Sequence, residues 1–306
     1  MINGILNIDK PAGMTSFRVV SLVRRFSGEK RVGHAGTLDP AATGVLPVCL
    51  GQGTRVIEFL MDTDKAYRAE IELGISTDTY DAEGTITKQS DPSGITRIQV
   101  EEALASFCGL IEQVPPVYSA LKYQGKPLYE LARAGVVVEP KSRRVTIYKI
   151  ELTDWQSPLF TVEVVCSKGT YIRSLAHDLG QALGCGAHLK NLRRLRCGQF
   201  DIKDAVPLPR IEESFRHGYW EQFLYPIDCV LQDLAAVVVS DDEVKDIRNG
   251  RSLVIESVKG ELELAVSGKP SLQNCCRAYT HDGSFLGVLR LNPESGYWHP
   301  EKVFLS

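Results

Sequence analysis

The chain has 306 residues, of which 43% are hydrophobic and 24% charged, with a formal net charge of -3. That length supports a sizeable buried core and a second, smaller unit. The mild negative charge excludes nucleic-acid binding by bulk charge, although not binding through a local basic patch. Residues 1–10 lack a signal-peptide pattern, and no stretch is apolar for long enough to cross a bilayer. A cytoplasmic protein with no membrane partner is expected. The eight cysteines show no C-x-x-C spacing and do not cluster with the six histidines, so reduced thiols and no metal site are expected.

In chain order, Thr15-Ser16 followed by Val19, Val23 and Phe26 on one face predicts a capped helix, stopped by Gly28. A basic run, Arg24, Arg25, Lys30 and Arg31, leads into residues 33–53. These read as a structured loop, rich in Gly and Pro, with a short apolar run at 45–50. Inside it, Gly33-His34-Ala35-Gly36-Thr37-Leu38-Asp39-Pro40 holds one carboxylate among residues that restrict or free the backbone. Asp39 is therefore a candidate for attack or proton acceptance, with an ordinary turn as the alternative. Residues 65–73 alternate as a half-buried strand, with Tyr67, Ala69, Ile71 and Leu73 on one face.

A polar turn follows at 78–84. Thr96 and Gln99 form a capping-box pattern before a helix that carries Val100, Leu104 and Phe107 and runs to Gly109. Residues 114–139 read as a long excursion with a short helix near 128–133. A second basic run holds Lys141, Arg143 and Arg144. Strands are predicted at 144–152 and 159–166. A Gly169 turn then opens a helix with Ile172, Leu175, Ala176, Leu179 and Leu183, closed by Gly184. A third basic run contains Lys190, Arg193, Arg194 and Arg196.

After Pro226 short strands are predicted at 236–240, 252–256, 261–267, 276–280 and 285–291. Turn signals such as Asn249-Gly250 and Asp282-Gly283 separate most of them, which suggests a small β-barrel. Strands and helices alternate irregularly, so the fold class is α+β with a mixed sheet.

Asp39, Tyr67, Tyr171 and Arg173 are candidates to meet in one site. A nearby guanidinium would keep Asp39 ionised and oriented. The bland alternatives are a core tyrosine at 67 and a surface cation at 173.

The stretches Asn7-Ile8-Asp9-Lys10-Pro11-Ala12-Gly13-Met14-Thr15-Ser16 and Val32 to Pro47 resemble the opening motifs of bacterial TruB-type tRNA pseudouridine-55 synthases. Lys65-Ala66-Tyr67, the run from Leu73 to Asp81, Pro115-Pro116-Val117-Tyr118-Ser119-Ala120-Leu121-Lys122, Gly169-Thr170-Tyr171-Ile172-Arg173-Ser174-Leu175 and Leu192-Arg193-Arg194-Leu195 also match. The resemblance runs to about residue 230, and the tail is similar to the RNA-binding PUA domain. It implies a pseudouridine synthase fold with a central mixed, mainly antiparallel sheet flanked by helices and loops. The implied domains are a catalytic domain at 1–230, with an RNA-clamping insertion at about 114–150, and a PUA-like β-barrel at 231–306.

The implied reaction isomerises a uridine in the tRNA T loop, with Asp39 as the catalytic carboxylate and no cofactor or metal. Tyr67 would stack on the target base, Arg173 would pair with Asp39, and Tyr171 would help build the pocket. Leu192 would pack on the base, and His34 would fill the vacated stack. Phosphate contacts would come from Arg24, Arg25, Lys30, Arg31, Lys122, Arg143, Arg144, Arg193 and Arg194. The implied partner is the tRNA T-stem-loop, bound by a monomer without an obligate protein partner. Competing readings are an RNA-folding protein with incidental catalysis and an RNA-guided synthase acting on rRNA. A phosphotransferase is disfavoured because no P-loop is present.

Overall fold

Apolar residues on both faces make Gly4–Lys10 and Thr43–Leu50 deeply buried strands of the main sheet. Ile5, Val45 and Cys49 point to one side, and Leu6, Ile8, Leu46 and Val48 to the other. The structure is a computed structural model that describes residues 1–119, 121–136, 138, 140–255 and 274–304. Among the described residues, eleven strands form this sheet. Its main path runs Val206–Pro207, Gly4–Lys10, Thr43–Leu50, Ala187–Cys197, Lys65–Leu73, Leu159–Cys166, Arg143–Gln156 and Gly109–Gln113. Two pairings on this path are parallel, Gly4–Lys10 with Val206–Pro207 and Thr43–Leu50 with Ala187–Cys197. The remainder are antiparallel, so the sheet is mixed and mainly antiparallel, as expected.

One face is covered by two helix pairs. Ser16–Ser27 and Leu208–His217 bury Val19, Val20, Val23, Leu208 and Ile211 against Leu6, Ile8 and Leu46. Thr15 caps the first of these helices, its side chain accepting from Arg18 N, and Gly28 ends it at φ +67°. Arg97–Ser106 and Ile172–Ala182 bury Val100, Leu104, Leu175 and Leu179 against Ile71, Phe160 and Val162. Each such fully buried side chain contributes about 1.5–3 kcal/mol. Tyr67 and Leu192 pack against both clusters and so stand at the seam between them.

Three sequence expectations change here. Residues 33–53 are not one loop: the loop is confined to 35–42, and Val32–His34 pairs with the strand Thr43–Leu50. Pro47 is accommodated there, since its carbonyl still accepts from Ala35 N at 3.0 Å. The third basic run is the strand Ala187–Cys197, next to the centre of the sheet. Register shifts at Leu189/Asn191 and Arg194/Arg196 break its two-residue periodicity, which hides it from pattern reading. The helix capped at Thr96 ends at Ser106, and Gly109 opens an exposed edge strand.

The C-terminal strands Ala235–Val238, Cys275–Tyr279, Phe285–Leu291 and Trp298–Val303 form a four-stranded sheet, with no closed barrel among the described residues. The helix Asp241–Arg248 packs Val244 and Ile247 on one face. On the other, Cys275, Val288 and Phe304 share a cluster with Ile5, Val56 and Phe59 of the main body. The strand expected at 261–267 lies outside the described residues.

Gly180 lets the helix that carries Arg173 lie directly on the strand Ala187–Cys197. A Cβ there would stand 2.1 Å from Ala187 N and 2.4 Å from Gly186 C. Both are backbone atoms that cannot rotate away. Overpacking of about 1–3 kcal/mol should exceed the ~1 kcal/mol gained in helix propensity. Gly180→Ala is therefore expected to lower the melting temperature by a few degrees in calorimetry. An unchanged or raised midpoint would mean the helix is not seated there.

Candidate active site

Asp39 sits between two paired strands, on a connection tied down from four directions. Ser16 Oγ accepts from Leu38 N at 2.9 Å and donates to Leu38 O at 3.0 Å. Gly13 N donates to Pro40 O at 2.9 Å. Lys10 Nζ donates to Pro40 O at 3.1 Å, Pro11 O at 2.9 Å and Met14 O. Arg194 donates through Nε to Val45 O at 2.7 Å and through Nη2 to Gly36 O at 3.0 Å. Gly44 must be glycine, since its φ is +99° and a Cβ would meet Arg194 O at 2.2 Å. Lys10 is fully buried. Desolvation pulls its ammonium down to about 8, with Asp39 acting against the fall and Arg194 adding to it.

Arg173 lies in the first turn of Ile172–Ala182 and is 7% exposed. Its guanidinium reaches Asp39 Oδ2 through Nε at 3.1 Å and Asp81 Oδ2 through Nη1 at 3.2 Å. Nη2 donates to Tyr118 O at 2.9 Å. Loop, turn and excursion thus converge on one cation. The Asp39 side chain itself is 44% exposed, at the mouth of a cleft. Crowding by the surrounding protein raises its carboxyl above 3.8. The Arg173 charge opposes that rise, Asp81 adds to it, and Lys10 opposes it.

The cleft encloses about 900 Å³, enough for a nucleotide, and its lining includes Asp39, Tyr67, Tyr171, Arg173 and Leu192. Desolvation pushes the Tyr67 phenol up to about 12, despite a hydrogen bond from the Arg194 guanidinium. Tyr67 is therefore a neutral ring at physiological pH. Tyr171 is held through its backbone: its N–H donates to Gln113 Oε1 at 2.7 Å, and its carbonyl accepts from Gln113 Nε2 at 3.0 Å. The Arg143 guanidinium lies 5.9 Å from the Tyr171 ring centre.

The remaining expected residues divide sharply. Arg143, Arg144 and Arg194 line the cleft. Arg194, however, is 1% exposed and spends its donors on Val45, Gly36 and Tyr67, so it braces the loop instead of offering itself to a phosphate. Its place on a central strand dictates that burial. Arg193 pairs with Asp9 at 2.9 Å. His34 is on the strand beside the loop, not in the cleft lining, and burial lowers its pKa, with Arg194 adding to the fall. Arg24, Arg25, Lys30 and Arg31 are exposed on and after the first helix. The Lys122 side chain lies outside what the structure describes.

Sequence reasoning gave no role to Asp81, Lys10 or Ser16. Lys10 was detectable: Leu6, Ile8 and Lys10 share one strand face, which places a lysine in the core. Asp81 carries no periodic signal, since its turn is polar throughout.

Two family models together match most of the chain. The model described as TruB family pseudouridylate synthase (N terminal domain) matches residues 24–172, and that for the tRNA pseudouridylate synthase B C-terminal domain matches 173–238. A relative named tRNA pseudouridine synthase B from Dehalococcoides mccartyi is 44% identical over 305 residues, covering 99% of this chain and 97% of that one. Another of that name, from Clostridium kluyveri, is 43% identical over 287 residues, covering 94% and 95%. The structure titled "Crystal Structure of a Cbf5-Nop10-Gar1 Complex" superposes with a TM-score of 0.74 at 25% identity, over 99% of this chain and 85% of that one. The fold is that of the pseudouridine synthases. Within that class, the chain belongs to the TruB family.

The charge arrangement makes a signed prediction. Asp39, observed by carboxyl NMR, should titrate above 3.8. Replacing Arg173 by Gln removes the main charge that lowers this value, so the titration should move further up. A downward move, or none, would mean the two side chains do not interact in solution.

Proposed function

We propose that this protein converts a uridine of the tRNA T loop, position 55, into pseudouridine, with Asp39 as the catalytic carboxylate. The observation that carries this reading is the 3.1 Å contact between Asp39 and Arg173 at the mouth of a cleft lined by Tyr67 and Leu192. The reaction is an isomerisation. The N1–C1′ bond breaks, the base rotates, and C5 bonds to C1′; C5 loses its proton and N1 gains one. No oxidant or cofactor enters the balance. The carboxylate must stay ionised next to the sugar, and the Arg173 charge favours that form.

A stacked base cannot reach this cleft, so the target nucleotide is flipped out at a cost of a few kcal/mol. RNA loops lower that cost because their bases splay readily. Tyr67 stacks on the extruded base as a neutral phenol, and Leu192 packs against it. Tyr171 completes the pocket wall. His34, uncharged at neutral pH, fills the gap left in the RNA stack. Arg24, Arg25, Lys30, Arg31, Arg143 and Arg144 contact phosphates. Residues 1–230 act as the catalytic domain, with 114–150 closing over the RNA, and 231–306 as a PUA-like RNA-binding unit. The enzyme works as a monomer in the cytoplasm.

Two experiments test this reading. Incubation with unmodified tRNA transcript, followed by mapping of modified uridines, should show one T-loop conversion. Asp39→Asn should slow it by at least about 10³-fold, or about 4 kcal/mol of barrier, while tRNA binding persists. Conversion confined to rRNA, or undiminished in Asp39→Asn, would overturn the assignment. Separately, Arg143→Gln and Arg144→Gln should each weaken tRNA binding and lower the slope of log affinity against log salt by about 0.7–0.9. Arg194→Met should leave that slope unchanged and instead reduce stability by about 1–3 kcal/mol for each carbonyl left unpaired.

A further inference from the structure

The turn at 78–84 meets the Arg173 helix at two places. One is the Asp81–Arg173 ion pair, at 3.2 Å. The other is an aromatic stack: the Tyr80 and His177 ring centres are 3.9 Å apart, with the planes inclined by only 20°. His177 follows Arg173 by four residues, so both side chains project from the same helix face. The two contacts therefore run side by side between the same pair of elements.

The turn is otherwise tied elsewhere. Leu189 N donates to Tyr80 O and Ala82 N to Leu189 O, both at 3.0 Å, which fixes the turn to the sheet. Thr79 Oγ1 donates to Asp81 Oδ1 at 2.6 Å, and Thr77 Oγ1 donates to Asp81 O at 2.7 Å. Those bonds shape the turn internally and do not reach the helix. Tyr80 also has φ +64°, a left-handed conformation that side chains rarely adopt. Such strain persists where neighbouring contacts hold it in place. His177 Nδ1 is buried with no hydrogen-bond partner among the described residues, so no hydrogen bond at that atom orients the ring. Burial lowers the His177 pKa and raises that of Tyr80, with Asp178 adding to the latter, so two neutral rings face each other at pH 7.

We propose that Tyr80 and His177 are a positioning pair: their stack sets the spacing of turn and helix that aims Asp81 at Arg173, and thereby orients the guanidinium holding Asp39. The inference rests on the reading of Asp39 as the catalytic carboxylate. Neither ring lines the cleft, so neither is a catalytic residue. Their loss should slow the chemical step and leave tRNA affinity alone, because binding draws on cations elsewhere.

The informative variant is Tyr80→Gly. Glycine adopts φ +64° freely, so the substitution removes the ring while relieving the backbone. Single-turnover rates and tRNA Kd would be measured for wild type, Tyr80→Gly, His177→Ala, the double variant and His177→Phe. Each single loss is expected to slow turnover on the order of tenfold, the scale on which misorientation acts, with Kd within about twofold. The double variant should be no slower than either single one, since both remove one interaction. His177→Phe should recover most of the rate by restoring a ring. A wild-type rate in Tyr80→Gly, multiplicative losses in the double variant, or no recovery in His177→Phe would overturn the proposal. Conversion by Asp39→Asn at the wild-type rate would instead sink the underlying assignment, which keeps the two failures apart.

Discussion

Arg173 brings a permanent positive charge to a position where water reaches little of it, and the local architecture follows from that. An unpaired buried cation would be strongly destabilising, and removing one partner of such a group typically costs about 3–5 kcal/mol. Its donors are taken by Asp39, Asp81 and the carbonyl of Tyr118. Those partners come from three separate stretches of chain, so satisfying the guanidinium also fixes them relative to one another. The pair it forms with Asp39 is asymmetric: the arginine is buried while the carboxylate keeps much of its surface open to the cleft. The acid is thus oriented from behind and left free in front, which is what the proposed role of Asp39 requires.

Two further cations do related work on the loop itself. Lys10 and Arg194 are among the most deeply buried large side chains, and both direct their donors at backbone carbonyls around the Asp39 loop. Charged donors make stronger hydrogen bonds than neutral ones, which suits them to hold an irregular segment in one conformation. The chain thus divides its cations by depth. Lys10 and Arg194, both buried, shape the loop, and cations on exposed ground, such as Arg144 and Lys30, are available to an anionic ligand.

Much of this was legible in the residues themselves. The alternation through Lys65–Leu73, the capping box at Thr96 and the cap at Thr15 each rest on local physics, and each element begins where expected. Asp39 stood out because one carboxylate lies among glycines that free the backbone and a proline that restricts it. What stayed hidden depends on contacts distant in sequence. Thr43–Leu50 looked like a loop because glycine and proline punctuate it, and only the strands on either side make it a strand. Arg194 looked like a phosphate ligand because four cations lie close together, yet a strand alternates its faces, and bulges obscured which of them turn inward. The partnership of Asp81 with Arg173 spans 92 residues and leaves no periodic trace.

Where the nucleotide goes once it leaves its stack is tested most directly by a crystal structure of Asp39→Asn bound to an unmodified T-stem-loop. The target uridine should lie outside the RNA stack, with its base against Tyr67. Its C1′ should lie within about 3–4 Å of the substituted side chain, the reach of a near-attack geometry. A uridine still stacked in the loop, or one seated in another part of the protein with the substituted side chain and Arg173 drawn apart, would contradict this placement.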